Sequence, residues 1–330
     1  MTLFAVSIPL IILSSNVLEL GLGIGLAEFS LGGDENTILS YLSEMTPKNL
    51  RGRVLVGVTN VANFGAAIAA ILSILTGFSL FVQKLSFATL MSITIPIIVI
   101  TRFSIPESFR WKYYKNLHEK IYISKKEYFV RFYFLIAMAI TIVLTYALMD
   151  LVIGPYLFPK LTSLIILAAN IGETVAGFSI LLFIDSFNRK LFSFIAYLGG
   201  AITMFLFIPQ YIYIPKAFNI FLVLLILNGI FGEFGWALRV IYEPELFPTN
   251  SRGMNIGIVR GIAYSLYVAS IFFTSSFNEF SYLIYNLGMW IIGFSGALVW
   301  LLYGIDTKKK TLEEISDIIK INIRIHNEKK

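Results

Sequence analysis

The residues most able to do chemistry in this sequence are polar and acidic side chains that interrupt long apolar runs. They fall in four runs, which contain Glu28, Asp34 and Glu35; Asp150; Asn170 and Glu173; and Glu233 and Trp236. A charged side chain near the centre of a bilayer costs at least about 2.5 kcal/mol, so charged residues at this depth are candidate functional groups. The chemistry that these groups offer is reversible protonation and the binding of a polar or charged solute.

Asp34 is the first candidate for proton coupling. If its helix ends near Leu42, Asp34 lies about 12 Å from that end, at 1.5 Å per residue, and close to the middle of a bilayer. Glu28 and Glu35 are seven residues apart and share one helix face, whereas Asp34 is about 100° away from Glu35. Glu28 has a structural alternative, in which it snorkels or faces an aqueous cavity without binding a ligand.

Asn170 and Glu173 form a second candidate site. They are three residues apart, so they project from one face of a helix near its middle. Glu173 is predicted to be a second proton site or a substrate ligand, or else to pair with a basic residue such as Arg260. Asp150 lies toward the outer end of the preceding apolar run and is a candidate for the entrance to a site.

Glu233 and Trp236 form a third candidate site. Glu233 precedes Glu245 by 12 residues, which places it at nearly the same depth as Asp34, and Trp236 follows one helical turn later. A carboxylate beside an aromatic ring suits either a cationic or a sugar-like ligand.

The apolar content of the chain sets its fold class. Of the 330 residues, 57% are hydrophobic and 14% are charged, and the mean hydropathy is +0.78. A spanning helix needs about 20 residues, so we expect an all-α polytopic membrane protein with about ten transmembrane helices. The predicted spans are near 2–15, 22–42, 54–82, 86–105, 132–155, 161–184, 191–214, 218–242, 254–277 and 281–304.

The basic residues indicate the orientation. With alternating spans, thirteen Lys and Arg residues between Lys48 and Arg252 fall in one set of loops, and only Lys84, Lys160 and Lys216 fall in the other. Cytoplasmic loops carry such an excess, so we predict a cell-membrane protein with both termini in the cytoplasm. This bias accounts for the net charge of +6, and we expect no nucleic-acid partner because no stretch interleaves basic and aromatic residues on a soluble surface.

The sequence lacks several motifs that other classes of function need. It has no cysteine, which removes disulfides, thiolate nucleophiles and cysteine metal sites. His118 and His326 have no metal-ligand spacing around them. The HExxH, GxSxG and Walker patterns are missing too. We therefore expect no metal, no cofactor and no enzyme activity, and a polytopic membrane enzyme is a distant alternative.

A short internal repeat relates the two parts of the chain. Residues 44–52 read EMTPKNLRG and residues 245–253 read ELFPTNSRG, with Glu, Pro, Asn, Arg and Gly at matching positions. Both copies follow an apolar run and fall on the basic side. Parallel duplicated bundles place equivalent loops on the same side of the membrane, so the repeat predicts two pseudo-symmetric halves, as in many transporters.

Four segments resemble signature motifs of the major facilitator superfamily, in its sugar-porter and organic-ion symporter branches. Residues 41–53, YLSEMTPKNLRGR, resemble the loop after the fourth span of these proteins. Residues 106–111, PESFRW, resemble the PESPRW motif, and residues 185–190, DSFNRK, resemble the DxxGRR loop. Residues 306–315, DTKKKTLEEI, resemble the ETKGRSLEEI stretch after the last span. The four segments occur in the family's order.

This resemblance implies a bundle of two halves. We expect an incomplete N-terminal half at 1–105, a cytoplasmic central loop at 106–131, a six-helix C-terminal half at 132–304 and a cytoplasmic tail at 305–330. In the family's register the sequence begins in the third span and lacks the first two, which predicts either a trimmed gene product or a mis-called start.

The resemblance further implies secondary active transport of a small solute by alternating access. Proton-coupled symport is expected, because Gly32, Gly33 and Asp34, followed by Glu44, resemble the spacing of proton-coupled phosphate and organic-ion symporters. An organic ion or metabolite ranks slightly above a sugar, because residues 150–156, DLVIGPY, lack the glutamine and asparagine pattern of sugar porters. The alternative is a non-transporting truncated relative, such as a sensor.

The charged loops are predicted to form a cytoplasmic gate held by charge-assisted hydrogen bonds. Its predicted members are Glu44, Arg51, Arg53, Glu107, Arg110, Asp185, Arg189, Glu245 and Arg252. The expected partners are a small-molecule substrate, protons and the lipid bilayer. A monomer is expected unless a partner supplies the missing helices.

Overall fold

The regular structure of the chain is helical throughout the part that the computed structural model describes, residues 2–75, 79–104, 106–116, 125–146 and 148–315. The helices are α1 (Thr2–Leu13), α2 (Val17–Met45), α3 (Arg51–Leu75), α4 (Leu80–Ser104), α5 (Phe109–Asn116), α6 (Lys125–Thr145), α7 (Gly154–Leu157), α8 (Thr162–Ile180), α9 (Arg189–Tyr213), α10 (Phe218–Glu245), α11 (Arg252–Thr274) and α12 (Glu279–Tyr303). A π-helical stretch, Leu148–Ile153, precedes α7, and a 3-10 turn, Pro159–Leu161, precedes α8.

The predicted all-α membrane fold is confirmed, and each predicted span overlaps a helix, although positions 76–78, 105 and 147 of the predicted spans lie outside the described residues. Among the described residues, six stretches are long and apolar enough to cross a membrane: Lys125–Leu157, Pro159–Ile180, Arg189–Tyr213, Phe218–Glu245, Arg252–Thr274 and Glu279–Tyr303. Helices α2 and α3 are also long, with 29 and 25 residues. Helices α1 and α4 contain the shorter apolar stretches Leu3–Leu13 and Ala88–Thr101.

Asparagine and proline residues set several helix ends. The side chains of Asn16, Asn188 and Asn278 each accept a hydrogen bond from a backbone N–H three residues later, at 2.9, 3.1 and 2.8 Å. These bonds satisfy donors that the first helical turn leaves open. Pro47 follows the end of α2, and Pro248 follows the end of α10. Proline has no backbone N–H to donate, so it disfavours continuation of a helix at these positions. The two helices therefore end within one residue of equivalent points of the sequence repeat.

The largest buried core lies among helices α6 to α12. Helix α12 packs against α6 and α9, and α10 packs against α8 and α9. Phe134 of α6 stacks on Trp300 of α12 with ring centroids 4.6 Å apart, and Tyr242 of α10 meets both rings edge-on. All three rings are buried. Aromatic packing therefore ties three helices of this group together.

Helices α1 to α4 reach this core mainly through α2 and α3. Helix α3 packs against α8 and α10, α2 packs against α10 and α11, α1 packs on α2, and α4 packs on α1. Large apolar side chains point outward from this group, including Phe29 and Phe103, which are 74% and 88% exposed. Such faces suit contact with lipid rather than water. The contact between the α1–α4 group and the α6–α12 group contains the candidate site.

Candidate functional site

A cavity of about 510 Å³ lies between the two helix groups. Side chains from α2 and α3 face side chains from α6, the π-helical stretch, α8, α10, α11 and α12 across it. Its polar lining consists of Glu28, Asn63, Thr145, Tyr146, Asp150, Glu173, Asn228, Glu233, Tyr264 and Tyr267. Cavities of about 300–1,000 Å³ commonly hold small molecules, so the space is large enough for a solute.

The cavity lies near the middle of the helices that form it. Glu233 lies 12 residues before Glu245 at the end of α10, and Asn63 lies 12 residues after Arg51 at the start of α3. Each separation corresponds to about 18 Å along a helix. Because the hydrocarbon of a bilayer is about 30 Å thick, the two residues reach the central part of a membrane that these helices span.

Most of the candidate residues predicted from the sequence come together here. Glu28, Asp150, Glu173, Glu233 and Trp236 line the cavity, whereas Asp34, Glu35 and Asn170 are not among its lining residues. The Asn170 amide donates to the backbone carbonyl of Ile166 in its own helix, at 2.8 Å. Of the predicted pair Asn170 and Glu173, only Glu173 therefore lines the cavity.

The other two candidate residues of α2, Asp34 and Glu35, lie outside the cavity. Asp34 is half-buried, and Glu35 forms an ion pair with Arg260 of α11 at 2.5 Å. Residues 28 and 34 differ by about 120° around a helix, so Glu28 and Asp34 face different directions. The role of Asp34 in proton coupling stays a prediction, and the cavity itself gives it no support.

Glu233 is the most constrained carboxylate of the cavity. Glu233 is only 5% exposed, and the side-chain amide of Asn63 on α3 donates a hydrogen bond to its Oε2 at 2.7 Å. Asn63 also donates to Asn60, whose own amide donates to the backbone carbonyl of Thr174 on α8, at 3.2 and 3.3 Å. The other oxygen, Oε1, is buried and has no hydrogen-bond partner among the described residues. This chain of amides joins the two helix groups beside the cavity.

The close approach behind Glu233 requires a glycine. A Cβ at Gly177 of α8 would collide with the side-chain amide of Asn60 and lie 2.8 Å from Glu233 Oε1. Real Cβ atoms do not approach other atoms so closely, so an alanine would displace the amide or the carboxylate. Gly177 therefore makes room for the hydrogen bonds between α3, α8 and α10.

Aromatic side chains complete the lining. They are Tyr146, Trp236, Tyr264, Tyr267 and Trp290. Trp290 is 2% exposed, and its indole N–H has no acceptor among the described residues. Below the cavity, the guanidinium of Arg239 lies 4.2 Å from the centre of the Trp236 ring, a cation–π contact. Trp236 therefore separates the cavity from a buried positive charge.

That charge belongs to an inner ion-pair layer formed by Glu35, Arg239, Glu243 and Arg260. Arg260 donates to Glu243 from Nε and Nη2, at 2.9 and 2.7 Å, and also pairs with Glu35. Arg239 lies 3.6 Å from Glu243, and both side chains are fully buried. The suggested pairing of Arg260 with Glu173 is therefore wrong, because α10 and α2 supply the partners of Arg260.

A charged network occupies the helix ends on the side of the two repeat copies. Arg189 of α9 donates to both oxygens of Glu245 at 2.9 and 2.7 Å, and Arg51 of α3 lies 3.3 Å from Glu245. Arg252 of α11 pairs with Glu44 of α2. The two repeat copies therefore pair crosswise, each arginine with the glutamate of the other copy. Both ion pairs are buried and join the α1–α4 group to the α6–α12 group.

Asp185 attaches the start of α3 to the same network. Its oxygens accept the backbone N–H groups of Gly52 and Arg53, both at 3.1 Å, and its Oδ1 pairs with Arg189 at 2.9 Å. A carboxylate at this position satisfies open donors of the first turn and opposes the positive end of the helix dipole. A Cβ at Gly52 would collide with Asp185, so the contact requires glycine in the repeat.

The segment after α12 covers the charged network. The Arg51 guanidinium donates to the backbone carbonyl of Lys310 at 3.2 Å, and Arg189 donates to the hydroxyl of Thr307 at 3.1 Å. The backbone N–H of Thr311 donates to Glu314 at 2.6 Å, which lowers the pKa of this exposed carboxyl. The segment therefore contributes polar atoms to both arginines at the centre of the network.

The remaining predicted gate residues take different places. Arg110 pairs with Glu313 at 3.2 Å, and Ser108 beside it donates to Glu44. Arg53 contributes mainly its backbone N–H, because its side chain is exposed. Glu107 is exposed, and no ion pair is found for it among the described residues. Their function in a gate stays a prediction.

Several lining residues were missed by the sequence reasoning. Tyr146, Asn228 and Trp290 give no sequence signal that distinguishes them from packing residues. Tyr264 and Tyr267 do give one, since two tyrosines three residues apart share one face of α11. Within the described part of the chain, no three His, Asp or Glu side chains are grouped so that they could hold a metal ion.

Comparison with known proteins supports the predicted resemblance. The family model described as "Sugar (and other) transporter" matches residues 1–125. No curated protein matches the chain. The family match covers the part of the chain that contains Glu44, Arg51 and the PESFRW segment.

Two solved structures have the same arrangement of helices. One is the major facilitator superfamily proton:xylose symporter XylE bound to 6-bromo-6-deoxy-D-glucose, with a TM-score of 0.75 and 17% identity over 96% of this chain and 81% of that one. The other is a XylE mutant with two introduced tryptophans, with a TM-score of 0.75, 18% identity and the same coverage. The chain thus has the major facilitator fold. It is a multi-pass membrane protein that resembles this superfamily, as the four motifs predicted.

Proposed function

We propose that this protein is a secondary active transporter that carries a small solute across the cell membrane by alternating access. The substrate in this proposal is an organic ion, a metabolite or a sugar, and its movement is coupled to protons. One observation carries the proposal: a cavity with four carboxylates lies at mid-depth between the two helix groups. In this proposal the charged network lies on the cytoplasmic side, which the positive-inside bias supports.

The proposed movement is a rocking of residues 1–105 against residues 132–304. The described ion pairs between the groups lie toward the end of the bundle that carries the repeat copies, and the pairs Arg51 with Glu245 and Arg252 with Glu44 are buried there. For the cavity to open toward this end, both pairs have to separate, and so does the pair of Glu35 with Arg260 in the inner ion-pair layer. The network then acts as the gate, and its closed form in this structure corresponds to a state that does not open to the cytoplasm.

The proposed coupling groups are Glu173 and Glu233 rather than Asp34. Both glutamates line the cavity, whereas Asp34 does not. A carboxylate in the solute space changes its protonation when the solute binds or leaves, which ties the proton gradient to the transport cycle. Glu233 also accepts a hydrogen bond from Asn63 in the opposite helix group, so its charge affects the strength of a contact that changes when the two groups move.

Proton movement into liposomes tests this function. The full chain would be reconstituted with a pH-sensitive dye inside, and neutral sugars, organic acids and organic amines would be added outside in turn. We expect one class to change the internal pH, and Glu233→Gln to abolish the change. Acidification would indicate symport, and alkalinisation would indicate exchange. Glu279→Gln, at the start of α12 and outside the cavity, is the matched control and should behave like the wild type.

Two results would contradict the proposal. One is a signal no larger than that of protein-free liposomes for all three classes. The other is a solute that binds to the protein without any movement of solute or protons. The second result would favour a non-transporting sensor.

A further inference from the structure

The lining of the cavity is acidic and aromatic. Glu28, Asp150, Glu173 and Glu233 line it together with five aromatic rings, and none of the described lining residues is Lys, Arg or His. We propose that the solute is an organic cation, and that it exchanges for protons at Glu173 and Glu233. This inference rests on the proposed transport function and assigns the substrate class of its site.

The nearest positive charges are already neutralised. Arg239 lies beneath Trp236 and pairs with Glu243, and Arg260 pairs with Glu243 and Glu35. The inner ion-pair layer thus contains two guanidinium groups and two carboxylates, so its charges balance. It leaves no positive charge to balance the four carboxylates above it. Ionised carboxylates at this depth are costly, so protons must neutralise them in the empty cavity and a cation can do so in the loaded one.

Glu233 gives a second, independent indication of a ligand. Its Oε1 atom is buried without a hydrogen-bond partner among the described residues, although the residue lines the cavity. Buried polar atoms in folded proteins nearly always have a partner. A proton would satisfy this oxygen, which lies against Gly177 of α8, and a cationic group would take the place of the proton once the carboxylate turns toward the cavity, whereas an anion would be repelled by the carboxylate.

The aromatic residues fit the same class of solute. Cations are attracted to the faces of aromatic rings, most strongly to tryptophan. Trp236 and Trp290 line the cavity with Tyr146, Tyr264 and Tyr267. An organic cation therefore fits the lining well.

The amides of the cavity argue against a neutral sugar. Sugar hydroxyls accept hydrogen bonds as well as donate them, so a sugar site needs free donors such as side-chain amides beside its carboxylates. Asn63 donates to Glu233 and Asn60, and Asn228 donates to the carbonyl of Gly200 and the hydroxyl of Thr203, at 3.0 and 2.9 Å. The donors of both lining asparagines are therefore engaged by the protein. The charge of the carboxylates remains the main feature open to a solute.

Exchange follows from the chemistry of a carboxyl group. A protonated carboxyl holds no charge for a cation, so cation binding requires loss of the proton: COOH plus cation gives carboxylate with bound cation and a free proton. Other titratable groups face the same space as Glu233, and each contributes to its pH dependence. They are Glu28 from α2, Tyr146 and Asp150 from the segment after α6, Glu173 from α8, and Tyr264 and Tyr267 from α11. Helix α3 contributes the uncharged Asn63, and α12 contributes Trp290.

Choline and its uncharged isostere, in which carbon replaces the quaternary nitrogen, give a direct test. Binding to the full chain in lipid nanodiscs would be followed by tryptophan fluorescence, and protons would be counted with an indicator in weak buffer. Tetramethylammonium and tetraphenylphosphonium would extend the size range, and D-xylose would be the sugar control. We expect at least one cation to bind and to release about one proton, with an apparent affinity that rises up to about tenfold per pH unit.

Variants identify the carboxylates involved. Glu233→Gln and Glu173→Gln should each weaken cation binding by about tenfold or more and reduce the proton release, and Glu279→Gln should do neither. Folding of each variant would be checked by its elution as a single species. The inference is overturned if the isostere or D-xylose binds as tightly as the cations, if binding releases no proton, or if no cation binds. In each of these cases, a cavity that can be labelled from both sides of the membrane would leave the transporter proposal standing.

Discussion

Arg51 at the start of α3 and Glu245 at the end of α10 form an ion pair of 3.3 Å in which both side chains are 1% exposed. The two residues belong to different copies of the repeat and to different helix groups. Arg189 shares the same carboxylate at 2.7 Å, so Glu245 balances two buried guanidinium groups. Removing one partner of a buried pair is costly because the other charge stays buried. This glutamate therefore controls how firmly the charged end is closed.

Glu245→Gln should open the charged end. It leaves Arg51 and Arg189 without their shared carboxylate, and we expect it to destabilise the closed state by about 3–5 kcal/mol. The chain contains no cysteine, so a cysteine introduced at Ala66 in the cavity would be the sole thiol. Labelling of that cysteine from the cytoplasmic side should become faster.

The matched control for this experiment is Glu314→Gln. Glu314 pairs with Lys48 at 3.4 Å, but its side chain is 50% exposed. Exposed pairs contribute at most about 1 kcal/mol, so this variant should label like the parent. Equal labelling of the Glu245 and Glu314 variants would show that the buried network does not hold the end closed.

Gly177→Ala should destabilise the protein. The added Cβ would collide with Asn60 and approach Glu233 Oε1, and relief of such overpacking costs about 1–3 kcal/mol. Gly172→Ala lies on the same helix, where a Cβ would make an ordinary contact of 3.5 Å with Ile226. The thermal midpoint in one detergent should fall for the first variant and hold or rise for the second. Equal midpoints would mean that α3 and α8 can separate without cost.

Asn63→Ala should weaken the link between α3 and α10. It removes the 2.7 Å donor of Glu233 and leaves that carboxyl with both oxygens unbonded, at a cost of about 1–3 kcal/mol. Asn170→Ala is the control, because the described hydrogen bond of the Asn170 amide goes to Ile166 of its own helix. Unfolding in denaturant should show a larger loss of stability for Asn63→Ala. A larger loss for Asn170→Ala would contradict this ranking.

Asp34→Asn and Glu233→Gln separate the two assignments of proton coupling. Because Glu233 lines the cavity and Asp34 does not, we expect Asp34→Asn to keep solute-driven proton movement and Glu233→Gln to lose it. The dye-loaded liposomes described above give the measurement. If Asp34→Asn alone abolished the proton signal, coupling would belong to the site that the sequence first suggested.

The sequence predicts depth along a helix better than direction around it. Apolar runs and the repeat located the long helices and the glutamates and arginines of the charged network, because turn and charge signals mark helix ends. Glu28 and Asp34 lie on the same helix, yet only Glu28 lines the cavity. Which side of α2 faces the cavity depends on packing against α10 and α11, and helical periodicity alone does not determine it.

The inner ion-pair layer could not be predicted from the sequence either. Glu243 lies two residues from Glu245 and has no counterpart in the first repeat copy, so nothing in the pattern relates it to Arg260. Their contact depends on how α10 and α11 cross. By contrast, the pairing of Arg51 with Glu245 follows from a duplicated loop whose two copies meet on one side of the bundle.

Two-sided labelling of the cavity tests the central claim most directly. A single cysteine at Ala66 would be exposed to a membrane-impermeant maleimide in right-side-out and in inverted vesicles. Alternating access predicts labelling from both sides, with the cytoplasmic share increased by Glu245→Gln. Labelling from the outer side alone, both in the parent and in Glu245→Gln, would contradict the account, because the cavity would then never open to the cytoplasm.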